Sequence, residues 1–345
     1  MKFTCPLPIQ GSDRVLLGHG SGGTLSAALL RDIVMPAYTN PLLARMEDQA
    51  TLQINGASVA FTTDSFVVKP LFFPGGDIGS LAVHGTVNDL AMGGAQPLAL
   101  SVAMILEEGF PIEDLRHIAQ SIGAAASACG VSVVTGDTKV VEKGSGDGIF
   151  LNTSGIGLVP PGLNLSAANA RPGDAVILSG SLGDHGIAIL ARREGLSLES
   201  TIESDSAPLH SLVSAILAVT TEIRCMRDPT RGGLASTLNE IAAQSRVGIT
   251  IQETSVPVRE DVRGVCELLG LDPLYVANEG KMVAILPPEH ADAVLAAMRA
   301  HPLGRGAAIV GTVTSTEPGL VLQRTAFGTR RVVMMLAGDQ LPRIC

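Results

Sequence analysis

Four aspartates, each beside glycine or other polar residues at the end of an apolar segment, are the first candidates for a chemical site in this sequence. α/β folds build their sites at such ends of strands and helices. The four are Asp64 in FTTDSF, Asp89 in VNDLAMGG, Asp137 in VVTGDTK and Asp228 in MRDPTRGG.

An oxygen-only ligand set without a His or Cys cluster suits a hard cation such as Mg²⁺ that bridges the phosphates of a nucleotide. Without a cation, each carboxylate would repel a phosphate charge about 4 Å away by about 4 kcal/mol at an effective dielectric constant of about 20. The alternative is that each aspartate caps a helix or a turn. The residues alone leave both interpretations open.

Other polar residues could join such a site. Lys139 follows Asp137 by two positions and could reach a phosphate, and Glu279 lies in the segment ANEGK; either could equally be a solvated surface residue. His84 and Asn88 share one face of a predicted helix, where they could contact a reacting group or simply pack. Glycine-rich segments such as GHGSGG could present N–H groups to phosphate, although neither GxxxxGK[ST] nor a post-strand GxGxxG is present.

The last residue, Cys345, is a thiol at the end of the segment AGDQLPRIC, which follows the last predicted strand. Nine extended residues reach roughly 30 Å. The α-carboxylate disfavours the thiolate and Arg343 favours it, so reactivity would require a pocket into which the end inserts. We interpret Cys345 as a covalent carrier on a mobile arm; the alternative is an accidental surface cysteine. The five cysteines form no CxxC pair, which argues against a disulfide framework or a zinc site.

The elements that must position these residues alternate between strands and helices. Asn55-Gly56 between β-branched segments predicts a hairpin leading into Asp64. Asp77 is predicted to cap a helix that ends near Met92, before Gly93-Gly94. A strand, a helix and a second strand ending before GDTK (136–139) then predict a βαβ unit. An earlier helix is predicted to stop at Pro36.

Length and composition limit the function classes. A chain of 345 residues predicts two domains. The net charge of −9, with no basic run, argues against nucleic-acid binding. No apolar stretch approaches a membrane span, and the N-terminus lacks the apolar region of a signal peptide, so we expect a cytoplasmic protein without membrane attachment. We expect an N-terminal domain over 1–165, a C-terminal domain over 166–336 and a tail over 337–345.

Taken together, the motifs resemble the HypE family of hydrogenase-maturation carbamoyl dehydratases, within the wider superfamily of aminoimidazole ribonucleotide synthetase, selenophosphate synthetase and thiamine-phosphate kinase. The resemblance spans the whole chain, and the terminal PRIC is its most specific mark. The motifs are GHGSGG, FTTDSFVVKPLFFPGGDIG, VNDLAMGGAQP, VVTGDTKVV, SGSLGDHGIAIL, RDPTRGGLA, ANEGK and PRIC.

The resemblance implies an α/β (α+β) fold like that of aminoimidazole ribonucleotide synthetase. In that fold, the strands of the N-terminal domain pair with those of a second subunit into a β-barrel, a C-terminal α/β domain follows, and the tail is flexible. The implied assembly is a homodimer with ATP between the domains. The implied partners are HypF, which loads a carbamoyl group on the terminal Cys, and a HypC–HypD complex, which accepts the cyanide ligand of the NiFe hydrogenase.

The implied activity is ATP-dependent dehydration of an S-carbamoyl group on Cys345 to a thiocyanate. The resemblance places Lys139 and Glu279 near the inserted Cys, one as base and the other steadying the oxygen, with roles that could be exchanged; His84 joins this catalytic set. Mg²⁺ would be held by Asp64, Asp89, Asp137 and Asp228. The nucleotide would be bound by Asp64, Asn88, Asp89, Gly93, Asp137 and Asp228.

Two alternatives stay open at this point. One is an ATP-dependent enzyme of the same superfamily that acts on a free small molecule such as selenide or a purine precursor, for which the terminal thiol would be dispensable. Selenophosphate synthetase is disfavoured because GHGSGG contains no Cys. The other is a non-catalytic scaffold that binds nucleotide and docks maturation partners.

Overall fold

The computed structural model describes residues 13–38, 40–196 and 202–338 and has two α/β domains. The predicted tail 337–345 falls almost entirely beyond these ranges, and Cys345 lies outside them. No helix in the described ranges is both long enough and apolar enough to cross a membrane.

The N-terminal domain is a five-stranded sheet covered on one face by two long helices. Its sheet order is β1-β2-β7-β5-β6, antiparallel except for the parallel pair β5 and β6. The strands of this sheet are β1 (Ala50–Ile54), β2 (Ala57–Phe66), β5 (Gln96–Glu107), β6 (Ser132–Val141) and β7 (Ile149–Val159), and a separate two-stranded sheet consists of β3 (Phe72–Phe73) and β4 (Gly76–Asp77). The helices are α1 (Thr24–Leu29), α2 (Met35–Ala37), α3 (Ile78–Met92) and α4 (Ile112–Ala128).

The C-terminal domain is a seven-stranded mixed sheet between two layers of helices, with the order β14-β13-β10-β12-β8-β11-β9. Its strands are β8 (Ala175–Leu178), β9 (Cys225–Arg227), β10 (Gly248–Gln252), β11 (Val283–Leu286), β12 (Ala308–Thr314), β13 (Val321–Arg324) and β14 (Arg330–Val333). Its helices are α5 (Asp184–Arg193), α6 (His210–Leu217), α7 (Gly233–Ser245), α8 (Glu260–Leu269) and α9 (Pro288–Ala300).

Alternation along the central strand β8 explains why both faces of this sheet are covered. Val176 and Leu178 belong to the core on the α7 side, whereas Ala175 and Ile177 belong to the core beneath α6 and α9. All four side chains are buried, so the strand is a continuous apolar run. This is the pattern expected of a strand with helices on both faces.

Several sequence predictions are confirmed, including the two-domain α/β fold class. Asn55 and Gly56 form the turn between β1 and β2. Asp77 caps α3, where its Oδ1 accepts hydrogen bonds from the N–H groups of Gly79 (2.7 Å) and Ser80 (3.0 Å). The predicted βαβ unit is β5-α4-β6.

Two element boundaries differ from the prediction. The strand expected to end before GDTK runs on through it to Val141 as β6, because the twelve-residue β5 offers a full-length parallel partner in which Ala103 pairs with Asp137. Pro36 does not stop the first helix: a π-helical turn, Leu30–Val34, comes first and Pro36 lies in the opening turn of α2.

Candidate functional site

A cavity of about 440 Å³ lies between the two domains, within the size range of small-molecule sites. Residues from both halves of the chain line it. Those that carry charge are Glu47, Asp48, Asp64, Asp89, Arg227, Asp228, Arg231, Glu240 and Glu279.

Three of the four predicted aspartates meet in this cavity. Asp64 comes from the end of β2, Asp89 from the last turn of α3, and Asp228 from the residue after β9. The sequence analysis missed a fourth carboxylate, Asp48, which precedes β1. The Thr62 hydroxyl links two of these residues, because it lies 2.8 Å from Asp89 Oδ2 and 2.9 Å from the carbonyl oxygen of Asp48.

Burial and mutual repulsion disfavour the ionised forms of these carboxylates. Burial raises the pKa of Asp89 well above its ordinary value, and the charges of Asp228, Asp64 and Asp48 raise it further. Burial raises the pKa of Asp228 to about 6, although Arg227 acts in the opposite direction. The pKa values of Asp48 and Asp64 are also raised, with burial as the main cause. A nearby positive charge would therefore stabilise the ionised form of this cluster of carboxylates.

Arg227, at the end of β9, supplies part of that charge and joins the two domains. Its Nε lies 3.0 Å from Asp48 Oδ1, and its Nη2 donates to Glu240 Oε2 at 2.9 Å. Its Nη1 donates to the carbonyl oxygen of Met46 at 3.1 Å. The signal in the sequence for this network was the acidic pair Glu47-Asp48 before the predicted hairpin. Arg227, which binds this pair, lies in a strand that the sequence analysis did not predict.

These carboxylates fit a magnesium ion whose remaining ligands are phosphate oxygens. Asp48 Oδ2 is buried and finds no hydrogen-bond partner in the described part of the chain. Within the described ranges, no three His, Cys, Asp or Glu side chains are arranged to hold a metal ion by themselves. Mg²⁺ usually takes one or two carboxylates together with substrate phosphates, so an incomplete protein ligand set is what such a site requires.

Asn88 holds the C-terminal domain against α3 and is not among the residues that line the cavity. Its Nδ2 lies 3.1 Å from the carbonyl oxygens of both Ala207 and Glu279, and its Oδ1 accepts the N–H of Leu209 at 2.7 Å. His84, one turn earlier, makes a 3.0 Å hydrogen bond between its Nδ1 and the Ser206 hydroxyl. Burial lowers the pKa of His84 to about 4, so its imidazole is neutral at pH 7.

These contacts place Glu279, whose side chain lines the cavity and whose residue is only 5% exposed. Its backbone N–H donates to Asp205 Oδ1 at 3.0 Å, and the other oxygen of Asp205 binds Lys281 Nζ at 2.9 Å. These bonds fix the backbone of Glu279, and a buried carboxylate at the wall of a charged cavity can act as a general base.

The structure does not bring the remaining predicted residues into this chain's cavity. Asp137 and Lys139 lie on the edge strand β6, where they form a 2.9 Å ion pair with side chains that are 61% and 70% exposed. Gly93 ends α3, and a Cβ at that position would come within 2.0 Å of Gln49 Nε2. Cys345 lies outside the described residues.

The first glycine-rich motif, GHGSGG, reaches the rim of the cavity. Gly22 lines the cavity with φ +72°, and a Cβ on it would lie 2.7 Å from Arg231 Cβ and from the Arg231 carbonyl oxygen. Only glycine allows this approach of the two backbones.

Family models match both halves of the chain: AIR synthase related protein, N-terminal domain, over residues 46–159, and AIR synthase related protein, C-terminal domain, over residues 171–322. The chain is 59% identical over 327 residues to carbamoyl dehydratase HypE of Azotobacter vinelandii, an alignment that covers 95% of this chain and 96% of the relative. It is 55% identical over 346 residues to carbamoyl dehydratase HypE of Cupriavidus necator, covering 100% and 98%.

Solved structures give the same result. A HypE–HypF complex matches with a TM-score of 0.86 at 49% identity, covering 90% of this chain and 100% of the other. A structure of hydrogenase maturation protein HypE in complex with ATP matches with a TM-score of 0.81 at 50% identity, covering 96% and 100%.

Proposed function

The chain belongs to the HypE family of carbamoyl dehydratases, and from this premise we propose that it dehydrates a carbamoyl group carried on Cys345 at the cavity between its two domains. It is an ATP-dependent enzyme of hydrogenase maturation. The observation that carries the proposal is the meeting of the half-buried carboxylates Asp48, Asp64, Asp89 and Asp228 with the buried Glu279 in one cavity.

The carboxylates suit the nucleotide end of this reaction. One or two of the carboxylates of Asp48, Asp64, Asp89 and Asp228 would hold each Mg²⁺ together with the phosphates of ATP, and the bound ion would neutralise those phosphates and the charge that develops on them. Arg227 and Arg231 line the same cavity. Arg227 keeps Asp48 in place across the domain boundary.

Glu279 suits the carbamoyl end. As the carbonyl oxygen of the S-carbamoyl group takes the terminal phosphoryl group of ATP, Glu279 removes one proton from the amide nitrogen and a C=N bond forms. The C–O bond then breaks, phosphate leaves with the oxygen, and the second N–H proton passes to the departing phosphate. The products are a thiocyanate on Cys345, ADP and phosphate.

We place Asp137 and Lys139 at a dimer interface rather than in this chain's own cavity. Strand β6 pairs with β5 on one side and is the edge of its sheet on the other. Its outer side chains include Val134 and Val140, which are 66% and 67% exposed. A second copy of the chain that pairs along β6 would cover these valines and could bring Lys139 to the partner's cavity.

One of the two proposed partners has support from a solved structure. A HypE–HypF complex has been solved for a similar chain, so HypF is the proposed source of the carbamoyl group. A HypC–HypD complex is the proposed acceptor of the cyanide ligand.

Mass spectrometry of the intact chain tests the function. After incubation with HypF, carbamoyl phosphate and ATP, we expect one adduct on the C-terminal peptide, which appears first at the mass of a carbamoyl group and then loses the mass of one water molecule as further ATP is consumed in the presence of Mg²⁺. A Cys345→Ser variant should acquire no adduct while still binding ATP. An adduct that keeps its oxygen after ATP is consumed would contradict the proposal.

A further inference from the structure

One turn of the GHGSGG motif contacts the cavity and the start of the C-terminal tail at once. We define the tail root as residues 334–338, the last described residues before Cys345. The Thr24 N–H donates to the carbonyl oxygen of Leu336 at 2.8 Å, and the Ser21 hydroxyl lies 2.9 Å from the carbonyl oxygen of Gly338. The contacts join residues more than three hundred positions apart, so they are tertiary anchors of the root.

The glycine in the middle of this turn makes the contact unusually close. A Cβ on Gly23 would lie 2.2 Å from the carbonyl oxygen of Leu336 and 2.9 Å from its carbonyl carbon. Because both of those atoms are backbone, no rotamer change relieves the overlap, and any side chain here displaces the root. The neighbouring Gly22 lines the cavity against Arg231. Two adjacent glycines therefore hold the root at the rim of the cavity.

Because the tail root is anchored, the length of the chain beyond it limits how far the group on Cys345 can move. Seven residues, 339–345, follow Gly338 and end with Cys345, and seven extended residues span at most about 23–25 Å. A fixed root keeps the tethered group within that distance of Gly338, beside the glycine-rich turn whose Gly22 lines the cavity. Restricting a tethered group in this way raises its effective concentration at the site.

We infer that Ser21, Gly23 and Thr24 form a root clamp: positioning residues that hold the C-terminal tail so that the group on Cys345 is presented to the cavity. This inference rests on the proposed function, because the clamp has a catalytic consequence only if the cargo is carried on Cys345. The clamp residues touch neither nucleotide nor cargo in this scheme.

The test compares Gly23→Ala and Ser21→Ala with the wild-type chain after loading by HypF and carbamoyl phosphate, with the loaded fraction measured by mass. Single-turnover dehydration at saturating ATP and Mg²⁺ should slow on the order of 10- to 100-fold in Gly23→Ala, since small misplacements of a reacting group have effects of that size. Loss of one hydrogen bond in Ser21→Ala should slow it about 2- to 10-fold. The Kd for ATP, measured by calorimetry, should stay unchanged in both variants.

Gly264→Ala on α8 is the matched control, because a Cβ there meets nothing within 4 Å. Hydrogen exchange gives a readout independent of turnover: peptides containing Thr24 and the tail root should exchange faster in Gly23→Ala and not in Gly264→Ala. Unchanged exchange, or faster exchange with wild-type dehydration, overturns the clamp. If the wild-type chain itself fails to dehydrate its cargo, the proposed function fails, and the exchange comparison still decides whether the clamp exists.

Discussion

Replacing Asp228 with asparagine should stabilise the unliganded protein while weakening its stabilisation by magnesium and nucleotide. The Asp228 carboxyl has a pKa of about 6 in the folded chain against an ordinary value of 3.8. The raised pKa means that folding disfavours the ionised form, chiefly because the group is buried. Asparagine resembles the protonated acid and carries no such penalty.

The magnitude follows from the size of the shift. A difference of about 2 pKa units, at 1.36 kcal/mol per unit, is a penalty of at most about 3 kcal/mol on the free energy of unfolding. The penalty is fully present above the folded pKa of about 6, shrinks as the pH falls, and vanishes below the unfolded value of 3.8. The advantage of Asp228→Asn should therefore be largest near neutral pH and above, and disappear in acid.

Urea denaturation without metal or nucleotide, at several pH values from about 4 to about 8, measures this advantage. Added Mg²⁺ and ATP should then stabilise the wild-type chain, by about 2.7 kcal/mol at a hundred times the Kd, and the variant much less. Asp292→Asn, at an exposed position on α9, is the control for loss of a carboxylate. If Asp228→Asn is no more stable than wild type at about pH 8, or is stabilised equally by the ligands, then our account of the buried carboxylates is wrong.

Two further predictions concern the base and the assembly. Glu279→Gln should slow single-turnover dehydration by about 10²- to 10⁴-fold with ATP binding retained, since a positioned general base contributes that much; a rate within a few-fold of wild type would remove Glu279 from this role. Val134→Lys should convert a dimer to a monomer in analytical ultracentrifugation because it places a charge on the exposed edge strand, whereas Leu268→Lys, at an exposed position on α8, should not. A wild-type chain that is already monomeric would argue against the interface.

Local signals predicted the parts of the fold that depend on neighbouring residues. The Asn55-Gly56 turn and the Asp77 cap are short-range features, since the groups that satisfy them lie within three positions. Strand β9 was missed because Cys225–Arg227 is too short to show alternation and owes its conformation to pairing with β11.

The site was predicted only in part for a similar reason. Asp64, Asp89 and Asp228 stand out in their motifs, whereas Asp48 gains its place from Arg227, nearly 180 positions later in the sequence. The sequence places Lys139 two residues after Asp137 and cannot reveal that both are exposed on β6 and do not line the cavity of their own chain. That information lies in the pairing of β6 with β5 and in its free edge.

The bonds made by Asn88 and Arg227 have a consequence for how ligands enter and leave. Parting the domains would exchange the hydrogen bonds of the Asn88 amide and the Arg227 guanidinium for bonds to water, at a net cost of about 0.5–1.5 kcal/mol for each bond. If the nucleotide is exchanged through the opening of the cavity while the two domains stay together, these hydrogen bonds are kept. ADP would then leave through the same cavity opening that the carbamoylated C-terminal tail enters. Release of ADP and entry of the tail would therefore compete with each other.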